Sequence, residues 1–199
     1  MSTVAGIGTT YGARRLVDPV TRASAIALHT VWGQTLGAVT AGDAMRDLED
    51  FLRLLERQSV VKALAWHGTD LVGVGFLTNE LDMVPGISSE FFRARYPAEA
   101  AAGTLWYMIA GVAHPLRPGV LDGLRKTCVE EARTRKAAVL VWDSSTLRTE
   151  NAHRVTVDAV EAVFGSRVEP SELDRVSYMA VELPAVEDNN VIDLRLRGE

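Results

Sequence analysis

The stretch Leu105-Trp106-Tyr107-Met108-Ile109-Ala110-Gly111-Val112-Ala113-His114-Pro115-Leu116-Arg117-Pro118-Gly119-Val120-Leu121-Asp122-Gly123-Leu124 decides the fold. From Thr104 to Ala113 it is an apolar run that reads as one long strand. Gly111 interrupts that run, and a glycine inside a strand marks a bulge or a close backbone approach. His114-Pro115 and Arg117-Pro118-Gly119 then turn the chain into a helix over Val120 to Arg135. Leu121, Leu124, Cys128 and Ala132 fall on its apolar face, and Arg125, Lys126, Glu130, Glu131, Arg133 and Arg135 on its solvated one. Ala137 to Trp142 is an uninterrupted apolar run, which predicts a strand buried on both faces. Strand, helix and strand in this order predict a crossover at the centre of a mixed α/β sheet.

Upstream, Val60 to Trp66 and Leu71 to Leu77 read as an antiparallel hairpin closed at Gly68-Thr69-Asp70. Two helices precede it. One runs from Val20 to Val31 behind an Asp18 cap and Pro19. The other runs from Ala44 to Arg57, with Leu48, Phe51, Leu52 and Leu55 as its apolar stripe. Arg14 to Val17 is a short strand, and residues 1–12, with Gly6, Gly8 and Gly12, form a flexible leader. An insertion over 78–103 carries Pro85, Gly86, Pro97 and a short helix near Ser89–Tyr96; a connection of this length often lines a binding site. Downstream, a helix covers Asn151 to Phe164 and stops at Gly165, and a last strand covers Val176 to Leu183. The expected organisation is a single domain over 13–183 with a C-terminal tail, 184–199. In the tail Ile192, Leu194 and Leu196 alternate with polar residues, as an edge strand or a disordered end would allow.

On the residues quoted above, the chain resembles the GCN5-related N-acetyltransferase superfamily, as a divergent member with a degenerate coenzyme A loop. The resemblance covers roughly 13–183 in the order of elements and about 104–145 in motif. It implies a GNAT-like acyl-CoA N-acyltransferase fold, with acetyl-CoA as co-substrate and an amine as acceptor. In that family the strand matching 104–113 splays from the next one, making room for the pantetheine arm. A bulge in it turns a backbone N–H toward the thioester carbonyl, an oxyanion-type role. Gly111, with Val112 and Ala113, occupies that place here. The pyrophosphate would meet the start of the helix, where unpaired N–H groups and the helix dipole favour an anion. Arg117, Gly119, Val120 and Leu121 are the residues concerned, and Pro118 withdraws one donor. Arg125 and Arg148 are candidate phosphate partners, and Asn151 matches an Asn at the start of the family's last helix. Three departures stand out. Leu121 fills the second small position of the loop, Arg117 lies closer to Gly119 than the pattern has it, and Glu161 stands where the family often has a tyrosine acid.

Transfer to an amine requires a deprotonated nucleophile and a route for its proton. Asp143 ends the second central strand, where a base would reach the cleft. Tyr107 on the splayed strand and Glu80 after the hairpin are the other catalytic candidates. Each has a plain structural alternative: Asp143 as a loop cap, Tyr107 as core, Glu80 as a solvated carboxylate. Arg125 and Arg148 equally read as surface charges. Trp66, Trp106 and Trp142 lie in three strands without a basic stripe, which suits core packing better than base stacking.

Composition narrows the field. The 199 residues carry a formal charge of −5, with 47% apolar and 24% charged residues, which suits a folded domain and speaks against a general nucleic-acid binder or a polybasic membrane binder. Lys62, Lys126 and Lys136 are the only lysines among 21 basic residues, a skew that a GC-rich genome would also produce. One cysteine excludes an internal disulfide framework, and the scattered His29, His67, His114 and His153 exclude the common metal-ligand spacings, so no metal is expected. The longest apolar stretch falls far short of the roughly 20 residues a membrane helix needs, and the first residues do not form a signal peptide. The expectation is a cytoplasmic enzyme acting on a small-molecule or peptide amine, with a homodimer conceivable. Two alternatives stay open: an inactive GNAT-like module for binding or assembly, and an unrelated α/β protein.

Overall fold

The computed structural model describes residues 8–36, 47–142, 149–171 and 173. In chain order the elements are β1 (Thr9–Arg14), α1 (Pro19–Leu36), α2 (Leu48–Glu56), β2 (Val61–His67) and β3 (Asp70–Thr78). They are followed by a 3-10 turn (Leu81–Met83), α3 (Ser89–Arg95), α4 (Pro97–Ala102), β4 (Leu105–Ala113), α5 (Val120–Thr134), β5 (Val139–Trp142) and α6 (Thr149–Phe164). Among the described residues the sheet has five strands in sequential order. β1 through β4 are antiparallel neighbours, whereas β4 and β5 run parallel across the α5 crossover. The fold is therefore the expected mixed α/β sheet with a central strand–helix–strand unit.

Two apolar layers hold the sheet. Phe51, Leu54 and Leu55 of α2, with Ala25, Leu28 and Trp32 of α1, pack on one face against Val74, Phe76, Leu105, Tyr107, Ile109 and Val112. Leu124, Cys128 and Ala132 of α5 pack on the other against Ala63, Ala65, Val72, Trp106, Met108 and Ala113. Phe51 and Phe76 meet edge to face at 5.6 Å, the arrangement that ring quadrupoles favour. α1 starts as its sequence dictates: the Asp18 carboxylate accepts from the Thr21 N–H at 2.9 Å and its hydroxyl at 2.7 Å, which holds that carboxyl below its usual range. Asp47 caps α2 by accepting from the Glu49 N–H. The β2–β3 hairpin turns through Gly68 and Thr69, with His67 opposite Asp70; Gly68 at φ +63° supplies the backbone a two-residue turn requires.

Several expectations need correcting. The first strand is Thr9–Arg14, so residues 9–12, read as leader, form the edge of the sheet. Tyr11 and its neighbours are largely exposed there, and a solvated edge strand shows no apolar alternation to be read. In α2 the buried residues are Phe51, Leu54 and Leu55, while Leu48 is 40% exposed, because the helix begins at 48 and not at 44. In β5 only Val141 is buried. The insertion over 78–103 is three short helical elements whose Met83, Ile87, Phe92, Tyr96 and Ala100 lean on the core. The strand expected over 176–183 and the tail from 184 lie outside the described residues.

Candidate active site

β4 carries the feature that organises the site. Val74 pairs with Val112 and Phe76 with Ile109, so Gly75 alone faces two residues, Ala110 and Gly111. That is a bulge with one extra residue on β4. It resets the alternation of the strand: Ile109 and Val112, three apart, both point into the α1–α2 core. Gly111 is required at this spot, because a Cβ would lie 2.4 Å from the Val74 carbonyl oxygen. Among the described residues the parallel pairs run from Leu105 opposite Val139 to Met108 opposite Trp142, and the bulge follows them on β4.

Between the bulge, α5, β5 and α6 lies a narrow, partly open cleft enclosing about 30 Å³. Gly75, Met108, Ile109, Gly111, Leu121, Leu124, Arg125, Cys128, Trp142 and Thr156 line it. The walls are apolar except for Arg125, whose guanidinium pairs with Asp122 at 3.0 Å, and for Thr156, which is buried. Cys128 is fully enclosed, and burial pushes its thiol up to about 12. A thiol so held is protonated at neutral pH and is a poor nucleophile.

The helix α5 begins on Gly119 at φ +80°, with no side-chain cap on its first turn. The amides of Val120, Leu121 and Asp122 head the helix, where no preceding turn supplies them with carbonyls. A Cβ on Gly119 would meet nothing within 4 Å, so the approach is open. The Val120 side chain faces away, onto Gly73. The expected donor at 117 is lost to the turn itself: the Arg117 N–H bonds the His114 carbonyl at 3.0 Å, and the Leu116 N–H bonds the His114 ring at 3.3 Å. Tyr11 of β1 covers the same turn so closely that a Cβ on Gly123 would fall 2.2 Å from its ring. Burial, and then the charge of Asp122, raise the Tyr11 phenol above its ordinary value. Asp122 is an acidic group in a turn otherwise suited to an anion, and Arg125 offsets it.

The remaining candidates separate. Gly111, Leu121 and Arg125 line the cavity, while Gly119 and Val120 head α5 outside its lining. Val112 and Ala113 follow the bulge with their side chains in the two cores. Tyr107 is buried on the α1–α2 face, edge to face with Phe92 at 5.8 Å. Glu80 lies beyond Thr78, which pairs with Tyr107 near the start of β4. Its carboxylate accepts from the Ser59 hydroxyl at 2.8 Å and lies 3.6 Å from Arg57. Neither Tyr107 nor Glu80 lines the cavity. Asn151 falls within α6, but its side chain, like Asp143 and Arg148, lies outside the described residues. Glu161 is engaged at the end of α6, accepting from the Val168 N–H at 3.2 Å. Sequence reasoning passed over Gly75, Met108, Trp142, Cys128 and Thr156 as parts of the site. The Gly73-x-Gly75 pair in an otherwise apolar strand was the one signal available for the first of them.

The order of elements, the α5 crossover and the β4 bulge agree with one known architecture. They are the arrangement that the resemblance to the GCN5-related N-acetyltransferases leads one to expect. No protein-family model matches the chain, and no curated protein matches it either. Among solved structures, the chain is similar to an aminoglycoside acetyltransferase from an uncultured soil metagenomic sample. The two are 11% identical, over 88% of this chain and 97% of that one, with a TM-score of 0.47. It is also similar to the aminoglycoside N-acetyltransferase AAC(6')-Iy in complex with CoA, at 14% identity over 88% and 97%, TM-score 0.46. An acetyltransferase of Trypanosoma brucei is 17% identical over 85% of this chain and all (100%) of its own, TM-score 0.44.

Proposed function

We propose that the protein is an acyl-CoA-dependent N-acyltransferase that moves an acyl group, acetyl in the first instance, from coenzyme A to an amine in one direct step. The observation that carries this reading is the β4 bulge beside an apolar cleft that α5 closes from the other side. A bulge leaves main-chain N–H groups off the ladder that can meet a thioester carbonyl, and an apolar cleft suits a pantetheine arm. The first turn of α5 is the natural place for the diphosphate, through the amides of Val120, Leu121 and Asp122 with Arg125 at the side. In the reaction the amine nitrogen attacks the thioester carbon, a C–N bond forms, and the C–S bond breaks. The coenzyme leaves as a thiol once the proton given up by the amine has reached sulfur. Asp143 is our choice for the group that takes the proton from the amine, directly or through water. The enclosed Cys128 thiol suits direct transfer better than an acyl-enzyme.

A second reading, a GNAT-fold module that binds without catalysis, is favoured by Leu121 in the loop and by Asp122 in the first turn. The experiment is a thermal-shift titration with acetyl-CoA. Binding should raise the melting temperature by mass action, and Gly119→Trp, which fills the open approach to the helix start, should abolish the rise. No shift at millimolar acetyl-CoA would overturn the proposal. Asp143→Asn should then slow acyl transfer while leaving the shift intact; binding with no turnover toward any amine would favour the second reading.

A further inference from the structure

β1 is the edge of the sheet: it pairs with β2, and among the described residues nothing pairs with its outer side. Its six residues meet β2 in unbroken register, from Thr9 opposite His67 to Arg14 opposite Lys62, so every second one turns its N–H and C=O outward. Proteins blunt such an edge with proline, lysine, a bulge or an inward-pointing charge. Thr9-Thr10-Tyr11-Gly12-Ala13-Arg14 uses none of these, and its one charge stands at the end. Exposed apolar side chains gather at the same place: Tyr11 is 41%, Leu16 63% and Val20 74% exposed. Gly12 also differs from the other glycines of the sheet. A Cβ would lie 2.5 Å from Val120 Cγ1 at Gly73 and 2.4 Å from the Val74 oxygen at Gly111. At Gly75 it would make ordinary contacts of 3.6–3.8 Å with Leu124, Cys128 and Ala63. At Gly12 it would meet nothing within 4 Å, and the backbone there is not left-handed. Nothing inside the chain calls for glycine at this point of the edge, although glycine weakens a strand.

We propose that β1 pairs with β1 of a second copy, antiparallel about a two-fold axis through Gly12, so that one sheet runs through a homodimer. Residues directly opposite each other in an antiparallel pair share one face of the sheet. A two-fold pairing of a strand with its own copy therefore has one residue that faces itself. Gly12 suits that place, since it brings no side chain against its own copy. Tyr11 then stands opposite the small Ala13 of the second copy on the α5 side, where Tyr11 leans on Gly123 and Ala13 packs on the core. On the other side Thr10 stands opposite the second copy's Arg14, so no like charges meet. The contacts are reciprocal, as an isologous interface requires. The proposal concerns the edge alone and does not rest on the acyl-CoA reading.

The test is sedimentation velocity of the full chain over roughly 1–100 µM, the range in which a small interface associates. The wild type should dimerise as its concentration rises. Gly12→Lys sets lysine against lysine at the axis but meets nothing within the single chain. It should weaken association roughly tenfold or more, at an unchanged urea midpoint. Phe164→Lys, which places the same charge at the exposed end of α6, should not. With Cys128 enclosed, Gly12→Cys should give a disulfide-linked dimer on mild oxidation, because directly opposed residues lie within disulfide reach. A wild type that stays monomeric throughout would overturn the proposal, as would a dimer that Gly12→Lys leaves intact or Phe164→Lys breaks. A dimer without the Gly12→Cys cross-link would refute the Gly12 axis. A monomer that dimerises only once 184–199 are deleted would give the edge to the chain's own tail, again against the proposal.

Discussion

Lys62 is fully buried, and its ammonium group is held by main-chain oxygens. It donates to the carbonyls of Arg15 at 2.7 Å, Val60 at 2.9 Å and Arg57. These bonds tie the segment after β1 to the end of α2 and the start of β2. Burial, and secondarily the charge of Arg15, push the Lys62 amine down from 10.5 to about 8. Between those two values the unfolded chain holds a proton that the folded one has released. Stability therefore rises with pH across that window, by up to about 3 kcal/mol if the whole shift is expressed. Urea midpoints at pH 7.5, 8.5 and 9.5 should show this rise in the wild type relative to Lys62→Met; a flat difference would refute it. Nothing in the sequence marks Lys62. Within Val60 to Trp66 it reads as one polar residue in a strand, because its partners are main-chain atoms with no residue-type signature. Phe51 is the opposite case, since helical spacing alone places it in the core.

At the scale of the element, β4 was the most legible part of the chain and also the one with most left to find. Its length, its glycine and the helix behind it follow from Leu105–Leu124. The exact place of the bulge does not, because it depends on how β4 pairs with β3. The coenzyme loop was read less well: spacing does not reveal that the Arg117 N–H is spent on the His114 carbonyl. Glu80 and Tyr107 were legible as chemistry and not as place, since both depend on which end and face of the sheet they reach. The bulge makes a sharp prediction. Gly111→Ala forces a methyl group onto the Val74 oxygen and should destabilise by roughly 1–3 kcal/mol, as overpacking does, with loss of any acetyl-CoA-induced thermal shift. Gly75→Ala, one strand away, should not lower the urea midpoint. Equal midpoints for Gly111→Ala and the wild type would remove the bulge as a constrained feature.

Across the whole molecule, the sheet separates two cores, and Cys128 sits in the one behind the site. With its thiol raised from 9.0 to about 12, the native protein should react with a thiol reagent at pH 8 about a thousandfold more slowly than the unfolded chain. The rate should approach the unfolded value as urea passes the unfolding midpoint; fast native labelling would mean that the cavity opens without unfolding. Burial of the other sensitive group has a different consequence. An activated thioester acylates free amines, and a protein that holds one exposes its own side chains to that chemistry. Lys62 is sealed behind three carbonyls, which leaves Lys126 and Lys136 as the exposed lysine amines. The other 18 basic residues are arginines, whose guanidinium groups stay charged and resist acylation. Whatever set that ratio, the chain would offer the thioester proposed above few amines to attack.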